Sequence, residues 1–237
     1  MMDLAGWRPT TLIDFPGRVA ATLFTSGCNF RCPFCHNPEL VLQERAVGLP
    51  VLDEQEILRE LGRRHGFLDG VVLTGGEPTL QADLCSFAER VKALGFRVKL
   101  DTNGSTPDVV RALVEKRLVD YVAVDIKASP GRYREFAGID APIAEIEQTV
   151  TILKREAVDY EFRTTVAPGL ARLDIEAIAE WVGPARRYVL QRFRVPQEGS
   201  KTLLDPSWAL RDGLNEEALR EAWLAIAGRF EDGGVRA

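Results

Sequence analysis

The sequence predicts an α/β domain in which helices cover a parallel sheet, and three observations carry that prediction. Short β-branched runs alternate with longer stretches of helical periodicity along the chain. Six such pairs follow one another without a low-complexity linker or a solenoid period, which makes a single domain over 1–237. The residues of unusual chemistry fall just beyond one strand after another, where α/β folds gather ligands. Crossover rules allow either an open doubly wound sheet or a barrel.

In chain order, the first strand covers 19–24 and the first helix 53–64, where Asp53 can cap and Glu56 stands three residues on. A strand at 71–74 leads to a helix at 82–94, which Gly95 ends so that the chain can turn into the strand at 97–100. Helix 107–116, strand 121–124, helix 143–155 and strand 161–166 follow, then helix 174–181 and strand 188–191. The α/β core thus spans about 6–191, and 192–237 is expected to be a loop and one helix at 216–230. Asn215 serves as that helix's N-cap, with Gly233-Gly234 beyond its end. Trp181, Trp208 and Trp223 are expected in the core or an interface, and Cys85 as a small buried hydrophobe.

The 237 residues carry 30 basic and 35 acidic side chains, a net charge of -5, with no basic run, so no nucleic-acid partner is expected. No stretch approaches the roughly 20 apolar residues of a membrane span. Met1-Met2-Asp3-Leu4 lacks the basic and apolar regions of a secretory signal. Three of the four cysteines crowd into eight residues, the wrong distribution for a disulfide framework, so a cytoplasmic, thiol-reducing location is expected.

Cys28, Cys32 and Cys35 lie on a loop with Gly27 and Pro33, at a spacing that can bring three thiolates to one soft metal centre. A four-iron cluster ordinarily takes four thiolates, so three leave one iron open. A structural zinc would need a fourth ligand such as His36, but no second Cys/His element accompanies the first. The spacing therefore favours a catalytic iron–sulfur centre.

The pattern Cys28-x-x-x-Cys32-x-x-Cys35 followed by Gly75-Gly76-Glu77-Pro78 resembles the radical S-adenosylmethionine superfamily. Cys32-Pro33-Phe34-Cys35-His36-Asn37-Pro38, Asp101-Thr102-Asn103-Gly104 and Asp125-Ile126-Lys127 are similar to the glycyl-radical-enzyme activases. The opening from Gly6-Trp7 through Thr11-Leu12-Ile13-Asp14-Phe15-Pro16-Gly17 looks most like the activating proteins of anaerobic ribonucleoside-triphosphate reductases, relatives of pyruvate formate-lyase activating enzyme. The resemblance implies a partial (β/α)6 barrel and a [4Fe–4S] cluster on Cys28, Cys32 and Cys35, with S-adenosylmethionine chelating the open iron. One electron then cleaves the sulfonium to methionine and a 5'-deoxyadenosyl radical that abstracts hydrogen. It implies a glycyl radical enzyme as partner, such as an anaerobic ribonucleotide reductase, with pyruvate formate-lyase as another. Flavodoxin or ferredoxin would be the electron donor.

Carried over residue by residue, Phe34 and His36 touch the adenine, and Gly75-Gly76 lets backbone approach the ligand. Glu77 accepts from the methionine ammonium directly or through its neighbours, and Thr102 and Asn103 continue that cofactor edge. Asp101 and Asp125 help hold a monovalent cation beside the methionine carboxylate, with Lys127 a cofactor contact. Arg163 is expected inside the barrel, where a guanidinium needs a carboxylate partner, and within reach of cofactor or substrate. The chain departs from the activases after its last predicted strand, where Arg192-Phe193-Arg194 replaces a histidine. Six units leave the barrel open at the side, with Arg192 and Arg194 as candidate rim contacts for a glycine-bearing loop. The alternative within the superfamily is a small-molecule enzyme similar to the 7-carboxy-7-deazaguanine synthases.

Overall fold

The computed structural model of the protein describes residues 1–42, 52–195 and 203–236. Among these residues one sheet of eight strands runs in simple chain order from β1 to β8, with β1 and β8 as its two ends. The six expected strands are its middle: β2 (Ala20–Thr25), β3 (Gly70–Gly75), β4 (Arg97–Thr102), β5 (Tyr121–Asp125), β6 (Asp159–Val166) and β7 (Ala185–Arg192), each parallel to the next. This is the partial (β/α)6 arrangement, left open.

Both ends of the sheet escaped the periodicity. β1 (Leu4–Thr11) pairs antiparallel with β2, and β8 (Phe230–Arg236) pairs parallel with β7. The expected terminal region of a loop and one helix over 192–237 therefore needs correcting, because it also contains a strand; 196–202 of it lie outside the described residues. β1 holds Gly6 and Pro9, and β8 holds Gly233 and Gly234 among charges, compositions that edge strands tolerate and that give no buried-strand pattern. The last helix, α8 (Glu216–Ile226), stops before the expected residue 230, and a 3-10 turn delivers the chain into β8.

The other helices are α1 (Pro38–Val41), α2 (Glu54–Arg63), α3 (Leu84–Ala93), α4 (Pro107–Glu115), α5 (Tyr133–Ala137), α6 (Ile143–Arg155) and α7 (Arg172–Val182). The Asp53 carboxylate accepts from the Glu56 N–H, and the Asn215 side chain from the Ala218 N–H, the two caps that the sequence predicts. The short helices α1 and α5 were not anticipated; both pack beside the cysteine loop.

Strand side chains alternate faces. Leu23, Leu73, Val98, Leu100, Val122, Val124, Phe162 and Leu190 point outward and join the helices in the main core. The opposite set lines the concave interior. At its lower end Phe15, Ala20, Val72, Tyr121 and Ala123 form a small apolar plug. Above the plug the interior is charged: Lys99, Glu161 and Arg163 are all buried there.

Candidate active site

The cysteine loop leaves β2 and is tied down from three sides. Gly27 N–H donates to the Leu40 carbonyl (2.7 Å) and Arg31 N–H to the Ala137 carbonyl (2.8 Å). Leu204 N–H donates to Cys35 O (3.1 Å) and Asp205 N–H to Pro33 O (2.8 Å). The Arg31 guanidinium closes the loop on itself, donating to the carbonyls of Cys28 (2.6 Å) and Phe30 (2.8 Å). Behind the loop, Phe34 packs against Phe136 (ring centroids 6.2 Å) and Trp208 (5.6 Å). Trp208 is buried, as expected of core, whereas Cys85 is half-buried against the core and far in sequence from the loop.

Cys28, Cys32 and Cys35 line one cavity of about 250 Å³. Burial pushes the Cys28 thiol up to about 11 and Cys32 up to about 12, and raises Cys35 as well. Burial by itself keeps these thiols protonated, and a bound metal's charge would take the place of the protons. Among the described residues no three His, Cys, Asp or Glu side chains converge on a single ion. His36 donates through Nε2 to the Arg194 carbonyl (2.7 Å) and packs on Phe193 (5.3 Å). Cysteines spread around a cavity fit a cluster with a separate iron for each thiolate, and not a zinc site closed by His36.

Of the other cofactor residues named from the sequence, Phe34, His36, Gly75, Gly76, Glu77, Asp101, Thr102, Asn103, Asp125 and Lys127 line this cavity and Arg163 does not; Arg192 and Arg194, named as rim contacts, are not part of its lining. The glycine pair borders the cavity and also packs tightly on the protein's own backbone. A Cβ on Gly76 would lie 2.0 Å from the Gly27 carbonyl oxygen, and one on Gly75 would lie 2.3 Å from the Thr25 nitrogen. The close approach is to the protein's own backbone, with Gly76 N–H on Thr25 O (2.9 Å) and Glu77 N–H on Gly27 O (2.8 Å). The turn after β3 is thereby fastened to the cysteine loop.

Glu77 is buried, and its Oε1 accepts from Thr79 N–H (3.1 Å), the Thr79 hydroxyl (2.6 Å) and the Thr102 hydroxyl (2.7 Å). Oε2 accepts from Asn103 N–H (2.7 Å), which leaves one acceptor position on that oxygen. Burial raises the Glu77 pKa, and these donors oppose the rise. Asn103 in turn reaches across to Asn29 on the cysteine loop (2.8 Å). Asn29, Thr79 and Lys99 belong to no motif that points to them; of these, Lys99 was detectable, as a charge on the inward phase of a strand.

Asp101 and Asp125 belong to a row of alternating charges. Lys99, 1% exposed, pairs with Asp101 Oδ1. Arg163 NH1 lies 3.4 Å from Asp101 Oδ2, and Arg163 Nε donates to Asp125 Oδ1 (2.7 Å). Lys127 Nζ lies 3.4 Å from Asp125 Oδ2. Although burial alone would raise it, the Asp125 carboxyl is held well below the usual range by Arg163 and Lys127. Burial disfavours the Lys127 charge, yet Asp125 and the Cys32 sulfur raise its pKa. Arg163 thus has the carboxylate partners that its interior position demands, and sits behind the cavity wall. Arg192 is half-exposed, with NH1 3.8 Å from Glu216 Oε2.

The residue pattern of the radical SAM superfamily matches residues 22–182. "Putative glycyl-radical enzyme activating enzyme MJ1227" of Methanocaldococcus jannaschii is 37% identical over 80% of this chain and 79% of its own length. The 7-carboxy-7-deazaguanine synthase of Methanopyrus kandleri is 31% identical over 86% of this chain and 83% of its own. Among solved structures, Streptococcus suis SuiB bound to S-adenosylmethionine superposes with a TM-score of 0.66 at 13% identity, covering 89% of this chain; this chain spans about half of SuiB, 48%. QueE from Escherichia coli superposes with a TM-score of 0.59 at 18% identity, covering all of this chain and 94% of QueE. At these identities the superpositions speak for the fold alone.

Proposed function

The chain belongs to the radical SAM superfamily, and from that premise we propose that it is an activase which installs a glycyl radical on a partner enzyme, in first place an anaerobic ribonucleotide reductase. Membership brings a [4Fe–4S] cluster and S-adenosylmethionine. Together they supply one-electron cleavage of the sulfonium and a 5'-deoxyadenosyl radical that removes hydrogen from the substrate. The rest of the work is the protein's own. Cys28, Cys32 and Cys35 are the cluster ligands. Glu77 Oε2 and the Asn103 edge take the methionine ammonium, Lys127 takes the methionine carboxylate, and Phe34 with His36 borders the adenine. The Phe34, Phe136 and Trp208 rings exclude water from the back of the loop.

One observation carries the choice of a polypeptide substrate. A second cavity of about 550 Å³ lies at the β1 end of the sheet, lined by Trp7, Arg8, Pro9, Asp14 and Phe24, and it shares Asn37, Thr74 and Asp101 with the first. A cleft that runs in from a sheet end suits an extended loop, whereas small metabolites are mostly enclosed by their pockets. The similarity to the M. jannaschii protein supports the same reading. The electron for this protein's cluster would come from flavodoxin or ferredoxin.

The test is to mix reduced, cluster-loaded protein with S-adenosylmethionine and the source organism's anaerobic ribonucleotide reductase. A glycine-centred doublet in the electron paramagnetic resonance spectrum is expected. The similarity to 7-carboxy-7-deazaguanine synthases favours a second reading, a small-molecule enzyme. Turnover of such a substrate, with no doublet on any glycyl-radical partner, including pyruvate formate-lyase, would establish that reading instead.

A further inference from the structure

Two carboxylates beside an anionic ligand group need positive charge between them, and in this chain that charge is built in. The carboxylates of Asp101 and Asp125 present four oxygens, and each faces a cationic nitrogen of the protein. Lys99 takes Asp101 Oδ1, Arg163 takes Asp101 Oδ2 and Asp125 Oδ1, and Lys127 takes Asp125 Oδ2. The guanidinium stands where a monovalent cation would bridge the pair. We propose that Arg163 is the permanent counter-ion of the Asp101–Asp125 pair, so that cofactor binding by this protein requires no alkali cation.

Three features hold Arg163 in that place. It is 8% exposed, and from β6 its side chain reaches Asp125 on the adjacent β5 and Asp101 on β4 beyond it. A third carboxylate, Glu161, lies below it, 3.9 Å from NH1 and fully buried. Glu161 is anchored in turn by Arg187 (3.4 Å), Arg236 (3.2 Å) and the Tyr121 hydroxyl (3.1 Å). A guanidinium does not deprotonate in proteins. An alkali ion entering between the aspartates would therefore meet a fixed like charge at hydrogen-bond range, or would have to expel a side chain that three carboxylates retain. The monovalent cation expected from the resemblance does not fit this pair.

The consequence reaches the cavity. The row Lys99–Asp101–Arg163–Asp125–Lys127 carries three positive and two negative charges, and its Lys127 end lines the cavity. The surplus charge faces the place where, on the function proposed above, the methionine carboxylate lies. Arg163 is a positioning residue: it sets Asp125, and through Asp125 the Lys127 ammonium, without touching the ligand.

The experiment uses cluster-loaded protein and measures S-adenosylmethionine binding by equilibrium dialysis at one ionic strength in sodium, potassium and tetramethylammonium chloride. The parent is expected to bind within twofold in all three salts. Arg163→Gln is expected to bind at least tenfold more weakly in tetramethylammonium chloride and to recover at least fivefold in potassium or sodium chloride, because the uncovered aspartates then take up the cation. Arg163→Lys keeps the charge and should stay salt-independent. Thallium-205 resonance, titrated without the cofactor, gives a separate readout: saturable, potassium-displaceable binding to Arg163→Gln and none to the parent. A tenfold loss of parent affinity on withdrawing alkali ions, or saturable thallium binding by the parent, would overturn the proposal. If Arg163→Gln does not fold, the parent's two measurements decide alone. If no cofactor binds in any salt, the cofactor reading of the cavity fails, and the thallium titration still decides the role of Arg163.

Discussion

A buried lysine is expensive, and Lys99 shows what makes one tolerable. Burial pushes its pKa down, while Asp101 beside it and Glu161 nearby hold the charge on. Arg163 was legible as an interior guanidinium because it follows the β6 alternation, and Lys99 obeys the same phase on β4 without having been singled out. What the sequence could not show was that the two cations share the Asp101 carboxylate, since that depends on the register between strands. Asp125→Asn leaves part of the row unpaired and should cost about 3 kcal/mol at pH 7, read from urea unfolding. The folded Asp125 carboxyl is held low, so the unfolded chain binds its proton first as pH falls below about 4. The gap between parent and variant should therefore stay flat from pH 8 to 5 and narrow as pH drops from 4 toward 2. A gap that widens on acidification would refute the pairing. At the cysteines, Cys28→Ala, Cys32→Ala and Cys35→Ala should each abolish the iron–sulfur absorption, and Cys85→Ala should not, because the first three alone line the cavity. Full iron loading of any of the three would exclude it as a ligand.

The cysteine loop is held by elements that the motif does not contain. α5 reaches it through Ala137 and Phe136, and the segment after residue 202 reaches it through Leu204, Asp205 and Trp208. These partners lie about 100 and 170 residues along the chain from the loop, which is why local periodicity gave no sign of them. Trp208→Ala removes a buried indole that packs on both Phe34 and Phe136 and should cost about 3–5 kcal/mol. The cluster should bleach faster in air than in the parent, and Trp208→Phe should recover most of both. An unchanged bleaching rate would show that the segment merely covers the loop. The glycine turn is tighter still. Gly76→Ala puts a methyl group 2.0 Å from the Gly27 carbonyl, so soluble protein should load little iron even though no ligand has been removed. Normal loading would mean that the turn can yield. Motif reasoning found Gly75 and Gly76 beside the cavity; their fit against the neighbouring backbone depends on how the turn packs on the cysteine loop, which the motif does not contain.

Across the whole molecule, the six parallel units were readable because buried strands and amphipathic helices alternate without interruption. The two outer strands were not, because an edge strand buries little and can carry proline, glycine and charge. Those outer strands matter to function. β1 forms one wall of the second cavity, and β8 brings Arg236 to Glu161 beneath the charged row. The sheet therefore builds two things at once: a charged floor beneath the first cavity and an open flank at the second. Among the described residues no helix is long and apolar enough to cross a membrane. The central claim, that this flank receives a glycine of a partner enzyme, is tested most directly by following the hydrogen. Anaerobic ribonucleotide reductase labelled with deuterium at its glycine α-carbons is incubated with reduced, cluster-loaded protein and S-adenosylmethionine, and the 5'-deoxyadenosine is weighed by mass spectrometry. One deuterium in 5'-deoxyadenosine, appearing in step with the glycyl radical, is the predicted result; 5'-deoxyadenosine free of deuterium, however much is formed, would contradict it.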